Sequence, residues 1–271
     1  MTQPKDATAQ PDLDRFLDIA GHELRNPIAA LKGQVQLLQR RLRKDDGRER
    51  DLADLDKMLY QIERLNTEVD IYLAAAHIAK RRLNVLPEPM DLVTIVERLV
   101  GVYAAGAAGH AISLECTSEC IFGKYDKRRI EQALGVLLNN ALKYSPSGDI
   151  LVRLGAENGV ARLEVLDRGV GVPDKERARI FQQYTHGSNV ENAGAGLGLY
   201  VARVLIRRHR GRMGVQPRPD GGSIFWIELP AQLAGADGAE PRVTAERLTF
   251  VAAPREERQK SRRAIGRLGG P

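Results

Sequence analysis

At 271 residues, 43% of them hydrophobic, the chain has material for two modest cores. Its formal charge of +6 is half accounted for by residues 231–271, where eight Lys/Arg face five Asp/Glu in an Ala-, Gly-, Pro- and Arg-rich stretch. That distribution argues against a specific nucleic-acid surface and for a weakly ordered basic tail over 233–271. No run approaches the roughly 18 apolar residues of a membrane helix, and the start MTQPKDATAQPD lacks the basic and apolar segments of a signal peptide. Cys116 and Cys120, in CTSEC, have no second ligand pair at metal spacing. The expectation is a cytoplasmic chain without membrane insertion, its thiols reduced.

Residues 1–12 show no apolar period and are expected to be disordered. From there Leu13, Leu17, Ala20, Leu24, Ile28, Leu31, Val35, Leu38 and Leu42 alternate three- and four-residue steps, one seam of a long helix. The charged stretch KDDGRER at 44–50 interrupts it, and Leu52, Leu55, Leu59, Ile62, Val69, Leu73 and Ala76 resume it. Residues 13–85 thus read as an antiparallel two-helix hairpin. A lone hairpin leaves its seam wet, so the simplest burial is a homodimer closing a four-helix bundle; packing onto the chain's own second domain is the alternative.

The segment LNVLPEPMDL, with Pro87 and Pro89, reads as an extended linker, with a domain boundary near 86. Over 86–232 the pattern mixes helical DLVTIVERLVGVYA, KRRIEQALGVLLNNALKYS and YVARVLIRRH with strand-like AISLEC, ILVRLG, VARLEVLD and SIFWIELP. The fold class is α+β: a helical hairpin followed by an α/β sandwich.

His22 lies between seam residues Ala20 and Leu24, and at about 100° per residue it points away from the seam, toward water. An exposed imidazole can act as a nucleophile, although a plain surface histidine has the same pattern. Glu23 can hydrogen-bond one ring nitrogen and leave the other unprotonated for attack on phosphorus. Asn26, one turn on, shares the face of His22 and can hold a water or a phosphoryl oxygen. Pro27 removes a helical hydrogen bond to the Glu23 carbonyl beside the reactive group. For Glu23 and Asn26 a solvated polar role is the alternative, and for Pro27 a tolerated kink.

In LLNNALKYS, Asn140 and Lys143 are three apart on one helix face, so an amide oxygen for Mg²⁺ and an ammonium for phosphate can converge, and Tyr144 can lie against a base. A helix end with a Lys favoured by the dipole is the competing reading. In LEVLDRGVGVP, strand pattern runs into Asp167, Gly169 and Gly171, a strand-end carboxylate suited to an adenine amino group with glycines that let backbone approach the ring. A simple strand-to-loop turn is the alternative. In ENAGAGLGLYVARVLIRR, Gly194, Gly196, Leu197 and Gly198 open into an apolar helix whose first N–H groups suit a triphosphate. It is neither a P-loop nor the G-x-G-x-x-G dinucleotide fingerprint.

The string His22-Glu23-Leu24-Arg25-Asn26-Pro27 closely resembles the phosphoacceptor box of sensor histidine kinases, H-E-L-R-T/N-P. LLNNALKYS, D-x-G-x-G and G-x-G-x-G resemble the N, G1 and G2 boxes of the GHKL (Bergerat-type) ATP domain those kinases share with DNA gyrase and a mismatch-repair ATPase. IFQQY at 180–184 resembles the F box and GGSIFWIELP the last strand. The likeness spans about residues 13–230.

The resemblance implies His22 as phosphoacceptor, Glu23 as its general base and Asn26 at the position tied to dephosphorylating the partner. It implies Asn140 on Mg²⁺, Lys143 on phosphate, Tyr144 and Asp167 around adenine, and Gly194 to Gly198 along the phosphates of ATP. The segment between Gly171 and Gly194 would be a mobile lid. Implied partners are a second copy of the chain, a response-regulator receiver domain that takes the phosphoryl group on an aspartate, and an upstream sensory partner. Where many relatives carry arginines after the F-box phenylalanine, this chain has Gln182, Gln183 and His186. Fewer fixed charges stabilise the γ-phosphate less, which motivates an alternative: a regulator-binding or phosphatase-biased dimer with weak autokinase activity. An ATPase without phosphotransfer would leave the His22 box unexplained.

Overall fold

Period-two alternation over 148–166 and 223–230 builds the centre of a mixed sheet. The structure, a computed structural model, describes Pro27, Ala30, Leu31, 33–35, Leu37, Leu38, 48–107, 109–145, 148–185, Gly187 and 195–232. Its elements are α1 (Arg48–Ala79), β1 (Glu88–Asp91), α2 (Leu92–Gly106), β2 (His110–Cys116), β3 (Phe122–Tyr125), α3 (Lys127–Tyr144), β4 (Gly148–Glu157), β5 (Val160–Leu166), α4 (Gly198–Arg208), β6 (Arg212–Pro217) and β7 (Ser223–Pro230). Two 3₁₀ turns, Asp174–Glu176 and Arg179–Phe181, precede α4. In the first arm of the hairpin, Pro27 is helical and buried.

The five-stranded sheet runs β2-β4-β5-β7-β6, with β2 and β4 parallel and the other pairs antiparallel. Register sets its two faces. Val152 opposes Val165, and Leu163 opposes both Leu154 and Ile227; these pack beneath α2, α3 and α4 in one core with Leu99, Leu134 and Ile206. The opposite face carries cross-strand ion pairs, Arg153 with Glu115 at 3.0 Å and Arg162 with Glu228 at 2.7 Å, and Arg162 also covers Trp226. One face is thus buried and the other polar, as the alternation requires.

Strands β1, β3 and β6 escaped the sequence pattern. β1 contains Pro89 and pairs only with β3, so its proline sits in a two-stranded ribbon rather than in a central ladder. β6 contains Gly214, where a side chain would run into Trp226, and it forms the sheet edge. The stretch read as linker therefore becomes ordered strand from Glu88.

Aspartates start two of the helices. Asp91 accepts from Val93 N–H (3.1 Å) and Ile121 N–H (2.8 Å), and Asp126 accepts from Arg129 N–H (3.2 Å) and Leu86 N–H (3.0 Å). Buried His209, just past α4, joins the second cap. Its Nδ1–H donates to the Leu205 carbonyl (2.8 Å), so its Nε2 accepts from Asp126 N–H (3.0 Å), which requires a neutral ring.

Burial holds the His209 pKa below the usual 6.5, against the opposing pull of the Leu205 carbonyl and the Asp126 charge. The unfolded chain takes up a proton as pH falls through 6.5 while the folded ring stays neutral. The stability from His209 is therefore present above 6.5 and is lost as pH falls from there to the depressed folded value. A melting series from pH 7.5 to 5 should show a larger loss of Tm in the unmodified chain than in His209→Gln. Equal losses would place the pH sensitivity elsewhere.

Helix α1 uses two faces. One docks on the sandwich, where Tyr60 meets Tyr103 edge-on with ring centroids at 5.3 Å and Arg128 pairs with Asp70 in a two-pronged contact. Exposed ion pairs contribute about 0–1 kcal/mol, so the ring contact and the close helix approach dominate this dock. The other face carries Leu55 (43% exposed), Leu59 (55%), Ile62 (40%) and Leu73 (49%), four members of the seam expected to close a bundle. Packing on the chain's own second domain does occur, on a stripe the seam did not include.

Candidate nucleotide site

The site assembles where β5 ends against the last turn of α3. Asp167 follows β5 and is 4% exposed. Its Oδ1 accepts from Gly169 N–H (2.8 Å) and Ser223 N–H (3.3 Å), while no described residue hydrogen-bonds Oδ2. Burial raises its carboxyl pKa, opposed by the Gly169 and Ser223 amides and by Arg218. The Asp167 backbone is pinned as well: its N–H donates to the Ser223 carbonyl (3.0 Å) and its carbonyl accepts from Arg218 Nη1 (3.2 Å).

Two glycines make that geometry possible. A Cβ on Gly169 would collide with the Tyr144 carbonyl, and one on Gly222, at φ +94°, would collide with the Asp167 carbonyl. The loop is then stitched to α3 by Val170 N–H on the Tyr144 carbonyl (3.4 Å) and Arg168 N–H on Ser145 Oγ (3.1 Å). Gly171 takes φ +71° beside the Gly222 carbonyl.

Asn140, Lys143 and Tyr144 lie in the last turns of α3, with Asn140 half-buried and Lys143 exposed. The Lys143 ammonium sits 5.4 Å from the Tyr144 ring centroid. Gly196, at φ +66°, accepts from Tyr184 N–H (3.0 Å) through its carbonyl, and buried Leu197 occupies the N-cap position of α4. No described side chain caps α4, so among the described residues its first N–H groups keep their donor capacity, as a phosphate-binding helix start needs. Gly198 brings that start against Val136, one turn before Asn140: a Cβ there would stand 3.3 Å from Val136 Cγ1.

The structure thus gathers Asp167, Gly169, Gly171 and Tyr144 directly and sets Gly196, Leu197 and Gly198 against the helix that carries Asn140 and Lys143. His22, Glu23, Asn26, Gly194 and His186 lie outside the described residues. Sequence reading missed Arg218, Gly222 and Ser223 as the holders of Asp167. Their one signal was the Gly221-Gly222 pair opening GGSIFWIELP, which was read only for its likeness to the last strand. In the lid segment Phe181 is buried with Arg203 stacked 5.3 Å from its ring centroid, while Gln182 and Gln183 are exposed.

These residues fit a nucleotide: a buried carboxylate whose Oδ2 no described residue hydrogen-bonds, glycines that clear its approach, and a helix start that no described side chain caps. For a metal, an Asn140 amide oxygen is a hard donor. Among the described residues no three His, Cys, Asp or Glu side chains gather into a metal cage. The Asn140 amide oxygen would suit a Mg²⁺ ion shared with a triphosphate, the usual habit of that ion.

Comparison with known proteins agrees with this architecture. Residues 12–79 match the His Kinase A (phospho-acceptor) domain, and residues 125–233 match the histidine kinase-, DNA gyrase B- and HSP90-like ATPase. The chain is 30% identical over 247 residues to sensor histidine kinase AruS of Pseudomonas aeruginosa, covering 84% of this chain and 23% of that protein. It is 28% identical over 229 residues to signal transduction histidine-protein kinase BaeS of Escherichia coli, covering 80% of this chain and 46% of that one. Among solved structures, full-length ShkA in complex with AMPPNP superposes with TM-score 0.52 at 25% identity, over 80% of this chain and 46% of that chain. A phospho-acceptor hairpin joined to a nucleotide sandwich defines a class, and the chain belongs to it: it is a member of the sensor histidine kinase family. It spans half or less of the length of these relatives. Among the described residues no helix is long and apolar enough to cross a membrane.

Proposed function

We propose that the chain transfers the γ-phosphoryl group of ATP to its own His22 and from there to an aspartate of a response-regulator receiver domain. The observation that carries this reading is the joint presence, in one chain, of a phospho-acceptor match over 12–79 and an ATPase match over 125–233 whose sandwich holds a buried Asp167 beside an α4 that no described side chain caps.

Asp167 Oδ2 accepts from the adenine amino group, Tyr144 lies along the base, and Gly194 to Gly198 follow the phosphates. Lys143 turns from the Tyr144 ring to a phosphate oxygen. Asn140 holds Mg²⁺, which neutralises charge on the triphosphate when bound. The unprotonated nitrogen of His22 attacks the γ-phosphorus; the P–N bond forms as the bond to the β,γ-bridging oxygen breaks, and ADP leaves. Glu23 takes the proton from the other ring nitrogen, and Asn26 positions a water that hydrolyses the partner's aspartyl phosphate, releasing inorganic phosphate and the free carboxylate.

The exposed stripe Leu55, Leu59, Ile62 and Leu73 supports a homodimer, its steps of four, three and eleven residues keeping all four on one helix face as a bundle seam requires. Leu59→Glu with Leu73→Glu should convert a species of twice the chain mass into monomer in sedimentation equilibrium; a mass unchanged by the pair would place the dimer contact elsewhere. The test of the whole reading is incubation with γ-labelled ATP and Mg²⁺. Label on the protein that is stable in alkali and lost in acid is the expected result, and bound nucleotide with no such label would defeat the kinase assignment.

A further inference from the structure

Three glycines on three different helices receive three side chains of α1. A Cβ on Gly106, at the end of α2, would strike Tyr60; one on Gly135, in mid-α3, would come within 2.8 Å of Thr67 Oγ1; one on Gly198, at the start of α4, would reach Ile71 Cδ1 at 3.8 Å. Tyr60, Thr67 and Ile71 are seven and four residues apart, so one stripe of α1 fits all three notches. Two of the notches belong to the helices that frame the nucleotide site. Leu197, at the phosphate-loop end, packs in the same cluster as Tyr72 and Ala75 of α1.

A polar path crosses this dry contact. Tyr103, 0% exposed, donates its hydroxyl hydrogen to Asn139 Oδ1 at 3.1 Å. The buried Thr67 hydroxyl donates to the Glu63 carbonyl (2.9 Å), and the Tyr103 ring packs edge-on against Tyr60 of α1 with centroids at 5.3 Å. Asn139 directly precedes Asn140, so fixing its amide fixes the rotation of that turn of α3. Tyr103 thus meets α1 through its ring and α3 through its hydroxyl, and a missing partner there strands a buried polar atom.

We propose that Tyr103 is a positioning residue: seated on Tyr60, it ties the docked hairpin helix to Asn139 and thereby orients Asn140 toward the metal-bound triphosphate. This rests on the nucleotide reading above. Docking of α1 and binding of the metal–triphosphate group then favour each other, and linkage makes the effect reciprocal. Recognition of the base, which belongs to Asp167, is independent of the path.

The test measures two affinities by titration calorimetry on the full chain: Mg·AMPPNP, and ADP in EDTA. Tyr103→Phe keeps the ring against Tyr60 and removes only the hydroxyl, and Asn139→Ala removes its acceptor. Each should weaken Mg·AMPPNP about threefold to tenfold while changing metal-free ADP less than about twofold, and the double variant should be no weaker than either single one. Equal weakening of both ligands would mark Tyr103 as merely structural, and additive losses or no loss would break the path; any of these overturns the proposal. If the unmodified chain binds neither ligand, the nucleotide reading itself fails. If it binds both and Asn140→Ala selectively weakens Mg·AMPPNP while Tyr103→Phe does not, the positioning role alone fails.

Discussion

His22→Gln is expected to abolish acid-labile, alkali-stable phosphorylation while leaving Mg·AMPPNP affinity unchanged. A glutamine side chain approximates the reach and polarity of imidazole, but the lone pair of its amide nitrogen is delocalised into the carbonyl and does not attack phosphorus. The stability signature follows from the bond: acid protonates the ring and turns it into a leaving group, whereas alkali does not. Serine or threonine phosphate would survive acid, and acyl phosphate would be lost in both. Because the ATPase match begins at residue 125, far along the chain from residue 22, nucleotide binding serves as the internal control. Label retained in His22→Gln would move the phosphoacceptor to another residue.

Asp167→Asn is expected to weaken Mg·AMPPNP binding about 100-fold with little change in fold. The amide oxygen can still accept from Gly169 and Ser223 N–H, so the loop keeps its shape. At the Oδ2 position, however, an acceptor is replaced by an NH₂ donor facing the donor of the base. Losing a hydrogen bond to a charged group costs about 1.5–3 kcal/mol, and opposing donors in a dry site add to it, which together correspond to about two decades in Kd. Calorimetric titration of the two chains decides it. Affinity within threefold of the unmodified chain would remove Asp167 from the base contact.

The α+β class and most of the elements were legible because their signals are local. The alternation in VARLEVLD and SIFWIELP and the helical period in KRRIEQALGVLLNNALKYS each lie within a single element, and all three formed as read. Asp167 was legible because a strand pattern running into D-x-G-x-G has a chemical meaning of its own. β1, β3 and β6 were not, since Pro89, Gly123 and Gly214 weaken strand propensity and are tolerated only because those strands sit in a ribbon or at an edge. The holders of Asp167 were hidden for a related reason: Arg218, Gly222 and Ser223 lie more than fifty residues further on and meet it only through the β5–β7 pairing.

By itself, then, the sequence determined the order of most elements, the two-part organisation and the chemical types in the boxes around His22, Asn140, Asp167 and Gly196, because periodicity and motif spacing are properties of neighbouring residues. Only the tertiary structure decided which face of α1 meets the sandwich. Apolar spacing singled out Leu55, Leu59, Ile62 and Leu73, but the buried contact fell to Tyr60, Thr67 and Ile71. Two of those side chains, Tyr60 and Thr67, are less hydrophobic than the seam leucines. They lie opposite Gly106, Gly135 and Gly198, and close packing is settled by the shape of the partner surface, which no single segment encodes.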